Sequence, residues 1–520
     1  MIRPIREEKK SSKTWRKYVL IGTSLLEAAV HLYTRMRKRH EDDVRDERRV
    51  RFLKRTIMVL LSGLAILLLI IGTLHVLIRL QAISIDGMVS AVSTTLPSDQ
   101  NGFTNLLLLG EGDSDHDGID LTDTLMVVSL DPTQTKSAVM LSLPRDLYLL
   151  STEKMGKGRI NSLYRDYKNT LIHRGTPKNE ASTEALKQLG SEIGTSIGVP
   201  IHGTIKLNFS GFEEAIDALG GIDMDVPEDI VDPEYPGPQY TYETFTISKG
   251  VQHLDGATAL KYARSRHSTS DFSRSGRQQQ IIAAASEKAK KIGLLTNMTK
   301  ATRVMSIIAR NMETTFTTRE LLGLAKIGKS IDAHKVLSLQ LSDANGLYDG
   351  INERGGFLYA PPREQFEGAS VLLPVSIPEF PVTWKQIQTL TRVLTQHREA
   401  FLRPPSILVL NAGAKEGSAR LLGAELIRYG FRVIRTSNFS KDPHATVDQS
   451  WIAMNPRISL EKGKNFDALQ TAPTVELLAN ILRISRTKTP DITAFSKGEG
   501  ALAIVLGTDF VYTPLQDLIR

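Results

Sequence analysis

One apolar run dominates the hydropathy pattern: TIMVLLSGLAILLLIIGTLHVLI, residues 56–78, carries no formal charge. At 1.5 Å per residue a helix of this length spans roughly 30 Å, the thickness of a bilayer's hydrocarbon core, so the pattern predicts a transmembrane helix. Arg49, Arg51, Lys54 and Arg55 precede it, against Arg79 alone after it. That bias puts residues 1–55 in the cytoplasm and everything after about residue 80 outside, a single-pass cell-membrane topology. The run is too long for a signal-peptide h-region and no small-x-small site follows it, so the expectation is an uncleaved anchor. A shorter run, residues 18–33, carries Glu27 and has Trp15, Arg16 and Lys17 beside it. It fits either an interfacial amphipathic helix or a small cytoplasmic helix.

Beyond the anchor the pattern changes character. Residues 79–102 are polar, a stalk. Then come short apolar runs: NLLLLG at 105–110, TLMVVSLD at 124–131 and KSAVMLSLP at 136–144, the last two separated by the turn signal Asp131-Pro132. Helical spacing follows at about 179–197, 209–218, 256–263, 276–292, 302–312 and 318–331. Strands alternating with helices predict an α/β fold, a mixed central sheet flanked by helices, over residues 103–345. Residues 346–404 read as a Gly- and Pro-rich linker ending in a helix at 384–401. Residues 405–513 open with a strand, a Gly-containing turn, an amphipathic helix and a second strand, a small C-terminal α/β domain. Its turn, NAGAKEG, has neither the G-x-G-x-x-G nor the G-K-[ST] pattern of a phosphate loop.

The net charge of +8 changes this picture little, because residues 1–55 hold roughly twice as many Lys and Arg as Asp and Glu and the remainder is close to neutral. The absence of cysteine excludes disulfides, thiolate metal sites and a Cys nucleophile. The external part must be held by its own core.

The densest chemistry lies at residues 253–280, HLDGATALKYARSRHSTSDFSRSGRQQQ, where Arg264, Arg266, Arg274, Arg277, Gln278, Gln279 and Gln280 surround Asp271. Guanidinium offers a rigid fork of donors, so this density serves phosphate recognition or a general grip on a polyanion. Asp271 can start a helix that sets Arg274, Arg277 and Gln278 on one face. A nucleic-acid partner is not expected, since the segment faces away from the cytoplasm and lacks interleaved stacking aromatics. Arg145 and Asp146 follow a buried strand, at the strand edge where ligands of open α/β sheets gather. Residues 110–124 form a carboxylate-dense loop in which Asp113, Asp115 and Asp117 mimic the start of a calcium loop, but Thr124 stands where a bidentate Glu is needed. Mg²⁺ held by one or two carboxylates and substrate phosphate fits better.

The motifs LTDTLMVVSLDP, SLPRDLY, GRINSLY, NFSGFEEAIDALGGIDMDVP, HLDGATALKYARSR and DFSRSGRQQQ, in this order, resemble the LytR-CpsA-Psr family of membrane-anchored cell-wall enzymes. Residues 405–512 resemble the LytR C-terminal domain often appended to that family. The resemblance implies a phosphotransferase, with a possible pyrophosphatase side activity, that moves a glycopolymer from a polyprenyl-pyrophosphate carrier onto peptidoglycan with Mg²⁺ or Mn²⁺. It implies metal binding by Asp123 with Asp113, or its neighbours Asp115 and Asp117. It implies pyrophosphate binding by Arg145, Arg264, Arg266 and Arg274 or Arg277, with Gln278 or Gln279. Asp146 or Asp271 either orients an arginine or accepts the acceptor's proton. A noncatalytic binder of lipid-linked pyrophosphate or wall glycan is the alternative. The chain departs from the family where Leu121 replaces an arginine common two residues before the Asp-Thr pair.

Overall fold

The computed structural model describes residues 95–519 except 113–119, 238–240, 266–270, 294–303, 305–306, 308–309, 343–355, 376–381, 441–445, 456–464, 488–491 and 496–499. All of these belong to one compact unit, Ile85–Arg520. The expected cytoplasmic segment, the anchor at 56–78 and most of the stalk lie outside the described residues. Among the described residues no helix is long and apolar enough to cross a membrane.

The chain runs through β1 (Thr104–Glu111), β2 (Thr122–Asp131), β3 (Ser137–Leu143), α1 (Ile160–His173), α2 (Lys178–Ile197), β4 (Gly203–Asn208) and α3 (Phe209–Ala218). Next come β5 (Ile222–Val226), β6 (Ile230–Pro236), β7 (Tyr242–Ile247), β8 (Gly250–Leu254), α4 (Gly256–Arg264) and α5 (Asp271–Lys291). The first part closes with β9 (Met312–Thr314), α6 (Thr318–Ser330) and β10 (Val336–Gln340). Six strands make one mixed sheet in the order β9-β4-β1-β2-β3-β10. The pairs β1/β2, β2/β3 and β4/β9 are antiparallel, whereas β1/β4 and β3/β10 are parallel.

Strands β2 and β3 are nearly continuous apolar runs because both faces of the sheet are covered. Leu107, Leu109, Leu125, Val127 and Val139 point to the face that α1 and α2 cover. The alternate residues Leu106, Met126, Val128 and Met140 pack with Phe316 and Ile331 on the other. The turn after β2 is held by the Asp131 carboxylate, which accepts the backbone N–H of Thr133, Gln134 and Thr135 and the Thr135 hydroxyl. Burial acts to raise its pKa, and those hydrogen bonds overcome burial and hold it below the usual range.

Two local readings need correction. Helix α1 has no counterpart in the pattern reading: it begins at Arg159 without a side-chain cap, so the usual start signal is missing. The expected linker is partly integral to the core. Leu358–Tyr359 and Leu373–Pro374 pair, Leu372 bridges Leu147, and Phe357 and Leu373 are buried. The expected helix at 302–312 lies largely outside the described residues.

Helix α7 (Lys385–Gln396) leads to the C-terminal part: β11 (Ile407–Asn411), α8 (Ser418–Arg428), β12 (Val433–Asn438), β13 (Trp451–Met454), α9 (Asn465–Leu482), β14 (Ser485–Arg486) and β15 (Leu502–Leu506). Its sheet order is β12-β11-β15-β13-β14, with the expected parallel βαβ in β11-α8-β12. One apolar cluster runs from Leu107 and Leu189 through Leu390 and Phe401 to Leu422 and Ile504, so both sheets share a core. Arg398, 1% exposed, rivets the joint: it donates to the carbonyls of Ser129 and Ser137 and to the Ser129 hydroxyl, and lies 4.0 Å from the Phe103 ring centroid.

Candidate functional site

On the α5 side of the first sheet a cavity of about 620 Å³ opens between β1, β2, β4, β6, α3, α4 and α5. Leu108, Met126, Ile205, Leu207, Phe212, Leu260 and Ile282 make its wall mostly apolar. The runs at 105–110 and 124–131 thus contribute Leu108, Leu109, Gly110, Thr124 and Met126 to the cavity, while their other apolar residues form core. The polar residues on the same wall are Asp123, Thr124, Arg145, Asn208, Asp232, Glu234, Tyr242, Arg264, Arg274 and Gln278.

Asp123 is on β2 and Arg145 on the loop that Pro144 starts after β3. Arg145 Nη1 lies 3.5 Å from Asp123 Oδ1, and Asn161 Nδ2 lies 3.4 Å from the same oxygen. The Asp123 carboxylate is 44% exposed and its donors are long, so lone pairs remain free for a cation. Asp146 sits between two arginines, Oδ2 3.7 Å from Arg145 Nε and Oδ1 3.4 Å from Arg159 Nη1. Of the two roles open to Asp146, this is the arginine-orienting one. Leu121, at the position where the motif resemblance implies an arginine, lines the cavity.

Helix α4 brings Arg264 to the site. Gly256 begins the helix against α3, where a Cβ would lie 2.2 Å from the Glu213 carbonyl oxygen. The Asp255 side chain caps it by accepting from Thr258 N–H at 2.8 Å. Eight residues on, the Arg264 guanidinium stacks 4.3 Å from the Phe209 ring centroid and 5.5 Å from that of Tyr235. Burial raises the Tyr235 pKa, with the Arg264 charge acting against it.

Helix α5 starts at Asp271, as expected, and its residues divide by face. Arg274, Gln278 and Ile282, four apart, line the cavity. Arg277 is 5% exposed and is not on the cavity wall: Nε donates to the Tyr262 carbonyl at 2.9 Å and Nη2 donates to the Ser265 carbonyl. Burial lowers its pKa, against Tyr262 and Asp232, which raise it. Gln279 is also buried, donating to Ser142 Oγ at 2.9 Å and to the Leu339 carbonyl at 3.1 Å. The expectation of Arg277 and Gln279 as phosphate ligands is therefore corrected: their polar ends are spent on the frame. Ser265, which ends α4, donates to Asp232 Oδ2 at 2.8 Å, so α4's carboxyl end is fastened from two sides.

Arg266, Asp113, Asp115 and Asp117 lie outside the described residues, as does the Asp271 side chain. Among the described residues no three His, Cys, Asp or Glu are gathered to hold a metal. Asp123 suits a cation of the Mg²⁺ type, which takes one or two carboxylates and completes its shell from water and phosphate. The sequence reading missed Arg159 and Asn161, present only inside the motif GRINSLY. It also missed Asp232 and Glu234, which no spacing connects to the arginines.

Residues 79–365 match the LytR_cpsA_psr family, and residues 405–510 match the domain described as LytR cell envelope-related transcriptional attenuator. The chain is 29% identical over 235 residues to the polyisoprenyl-teichoic acid–peptidoglycan teichoic acid transferase TagV of Bacillus subtilis, covering 44% of this chain and 54% of that protein. It is 28% identical over 263 residues to TagU of Oceanobacillus iheyensis, covering 48% and 74%. The chain thus spans about half the length of the first of these relatives. Among solved structures it is similar to B. subtilis TagV, with 23% identity, a TM-score of 0.40, and coverage of 57% of this chain and 99% of that one. It is also similar to TagT bound to LI-WTA, with 20% identity, a TM-score of 0.38, and coverage of 58% and 95%.

Proposed function

The chain belongs to the LytR-CpsA-Psr family and carries a LytR C-terminal domain, and on that premise we propose that it transfers a glycopolymer from a polyprenyl-pyrophosphate carrier to peptidoglycan. In this reading the run at 56–78 anchors it in the cell membrane with its bulk outside. The observation that carries the reading is that Arg145, Arg264, Arg274, Gln278 and Asp123 share the wall of one largely apolar cavity. Guanidinium groups suit pyrophosphate, and the apolar wall suits an isoprenoid chain. The names of TagV and TagU as teichoic acid–peptidoglycan transferases support the same class of donor and acceptor.

An acceptor hydroxyl oxygen attacks the glycan-side phosphorus. The bond from that phosphorus to the bridging oxygen breaks, and polyprenyl phosphate leaves with the bridging oxygen and its electron pair. Arg145, Arg264 and Arg274 hold the phosphate oxygens where negative charge builds, the dominant contribution in phosphoryl transfer. Asp146 braces Arg145, and Asp271, on its sequence position beside the arginines, is assigned the hydroxyl proton. Asp123 and one of Asp113, Asp115 and Asp117 would hold Mg²⁺ or Mn²⁺, which when bound supplies charge neutralisation to the pyrophosphate. Arg266 joins the arginines on its sequence position. Water in the acceptor's place would give pyrophosphate cleavage as a side activity.

The test is transfer of labelled glycan from a polyprenyl-pyrophosphate donor to peptidoglycan fragments by the purified full-length protein. Loss of one such charge-stabilising group is expected to cost about 10²–10³ in rate, so Arg264→Ala and Asp123→Ala should fall by that factor. Undiminished turnover in both variants overturns the site. Tight donor binding by the parent with no transfer favours the noncatalytic binder.

A further inference from the structure

Behind Asp123 lies a buried ionic cluster that the transfer reaction does not use. Lys206 on β4 is 1% exposed; its Nζ lies 2.8 Å from Glu111, 3.4 Å from Asp120 and 3.2 Å from Glu313. Lys168 on α1 is 3% exposed, and its Nζ donates to both oxygens of Asp120 at 2.8 and 2.9 Å. Tyr164 donates to Glu313 at 2.6 Å, and the Lys206 ammonium sits 4.4 Å from the Tyr164 ring centroid. Buried ion pairs close to break even in stability, because desolvation offsets their attraction. Stability therefore gives little reason for so many charges in one place, whereas fixed geometry gives a good one.

The two carboxylates that the lysines hold are not arbitrary. Glu111 ends β1 and, after an irregularity at Gly110/Glu111, pairs across the ladder with Thr122, the neighbour of Asp123. Asp120 sits just before β2 at φ 63°, a left-handed backbone that a non-glycine residue keeps only where its surroundings insist. Helix α1 presents Asn161, Tyr164 and Lys168 at i, i+3 and i+7, one face. Asn161 meets Asp123 and its carbonyl accepts from the Thr122 hydroxyl, while Lys168 meets Asp120. The short stretch from Asp120 to Asp123 is thus gripped at both ends by one helix, and its ladder partner Glu111 by Lys206.

We propose that Lys168 and Lys206 are positioning residues of the cation site: by fastening Asp120 and Glu111 they set where β2 presents Asp123. The proposal rests on the reading that Asp123 binds a divalent cation. Groups that orient a metal's ligands typically govern affinity by 10- to 100-fold.

The experiment titrates Mn²⁺ into the full-length protein by calorimetry and electron paramagnetic resonance, with a thermal melt of each variant. Asp123→Asn tests the underlying reading. Two charge-neutral pairs, Lys168→Met with Asp120→Asn and Lys206→Met with Glu111→Gln, remove each clamp; in the second, Glu313 loses its Lys206 partner but keeps the hydrogen bonds from Tyr164 and Ser182. Asp120→Asn alone keeps the left-handed backbone, which Asn tolerates, and isolates the carboxylate, while leaving the buried Lys168 to face a neutral amide. The expected result is Mn²⁺ affinity weakened about 10- to 100-fold in the pairs and in Asp120→Asn. Metal-free inorganic pyrophosphate, which reports on the arginines, should bind each folded variant as it binds the parent. If Asp123→Asn loses Mn²⁺ while any folded clamp variant binds it like the parent, the clamp is overturned and the cation reading stands. If Asp123→Asn binds Mn²⁺ unchanged, the cation reading falls and takes the clamp with it.

Discussion

Arg277 and Arg145 are both arginines of the expected phosphate site, and the structure gives them opposite jobs. Arg277→Met should lower stability and Arg145→Met should lower anion affinity. The Arg277 guanidinium is 5% exposed and donates to the carbonyls of Tyr262 and Ser265. A hydrogen bond from a charged donor contributes about 1.5–3 kcal/mol, so losing two costs roughly 3–6 kcal/mol, which packing of the methionine reduces to about 3 kcal/mol. At about 2–4 °C per kcal/mol for a domain near 200 residues, the melting temperature should fall by roughly 6–12 °C. The Arg145 side chain is 27% exposed, its Nε finds no hydrogen-bond acceptor, and its nearest carboxylate oxygens are 3.5 and 3.7 Å away. Removing it should change stability by less than about 1 kcal/mol. One or more charge-assisted bonds to phosphate would go, so the dissociation constant for inorganic pyrophosphate should rise by about 10- to 150-fold. Calorimetric titration below both melting temperatures, beside differential scanning calorimetry, reads the two effects separately. An Arg277→Met protein that melts like the parent yet loses pyrophosphate as Arg145→Met does would refute the assignment.

Three further outcomes follow from other contacts. Glu313 is held at a pKa of about 2: burial raises it, but hydrogen bonds from Ser182 and Tyr164 and the charges of Lys206 and Lys168 outweigh burial. Between the ordinary glutamate value of 4.5 and about 2 the unfolded chain binds the proton and the folded one does not, so this contribution is present above 4.5 and is lost as pH falls through that window. Urea unfolding at pH 5 and pH 3 should show a smaller difference for Glu313→Gln than for the parent; an equal difference would count against it. Arg398→Met should cost several kcal/mol, since it strips donors from the buried carbonyls of Ser129 and Ser137, and should speed proteolysis near residue 400; unchanged digestion would argue that the two sheets are not held together there. Leu121→Arg adds a cation to the cavity wall and should tighten pyrophosphate binding by up to about tenfold, and no change would mean that this position faces away from the anion.

The α/β class, the strands around 105–144 and the helices at 178–197, 209–218 and 256–264 were legible because their apolar spacing is strong and their ends carry turn signals. Asp255 before α4 and the Asp-Pro turn after β2 are such signals. Helix α1 was not legible, since Arg159 provides no cap and its inward face interleaves the polar Asn161 and Lys168, buried among partners distant in sequence, with Ile160, Leu163, Tyr164 and Tyr167. Residues 356–375 read as linker because Gly and Pro recur through them and break any helical or strand period. Their burial depends on a bridge to Leu147, which no local pattern announces. The family and its C-terminal domain were legible from the ordered motifs, which specify the chain better than any single site residue does.

The arginine-rich segment shows how such a cluster misleads when it is read by density alone. A helix that lines the cavity with Arg274 and Gln278 turns the neighbouring Arg277 and Gln279 toward the protein, so those two meet backbone and sheet instead of solvent. Arg277 then holds the very carbonyls that end α4, the helix carrying Arg264, while Asp232 holds Ser265 from the other side. Ligand and strut therefore share a sequence motif, and both would lose activity on substitution. Rate alone cannot separate them. A strut is distinguished by a loss of stability that exceeds its loss of affinity, and a ligand by the reverse. The same criterion applies to Asp232, whose carboxylate is 2% exposed although it borders the cavity. Its removal should strand Ser265 and weaken the grip on Arg264, so Asp232→Asn should reduce pyrophosphate affinity only together with stability.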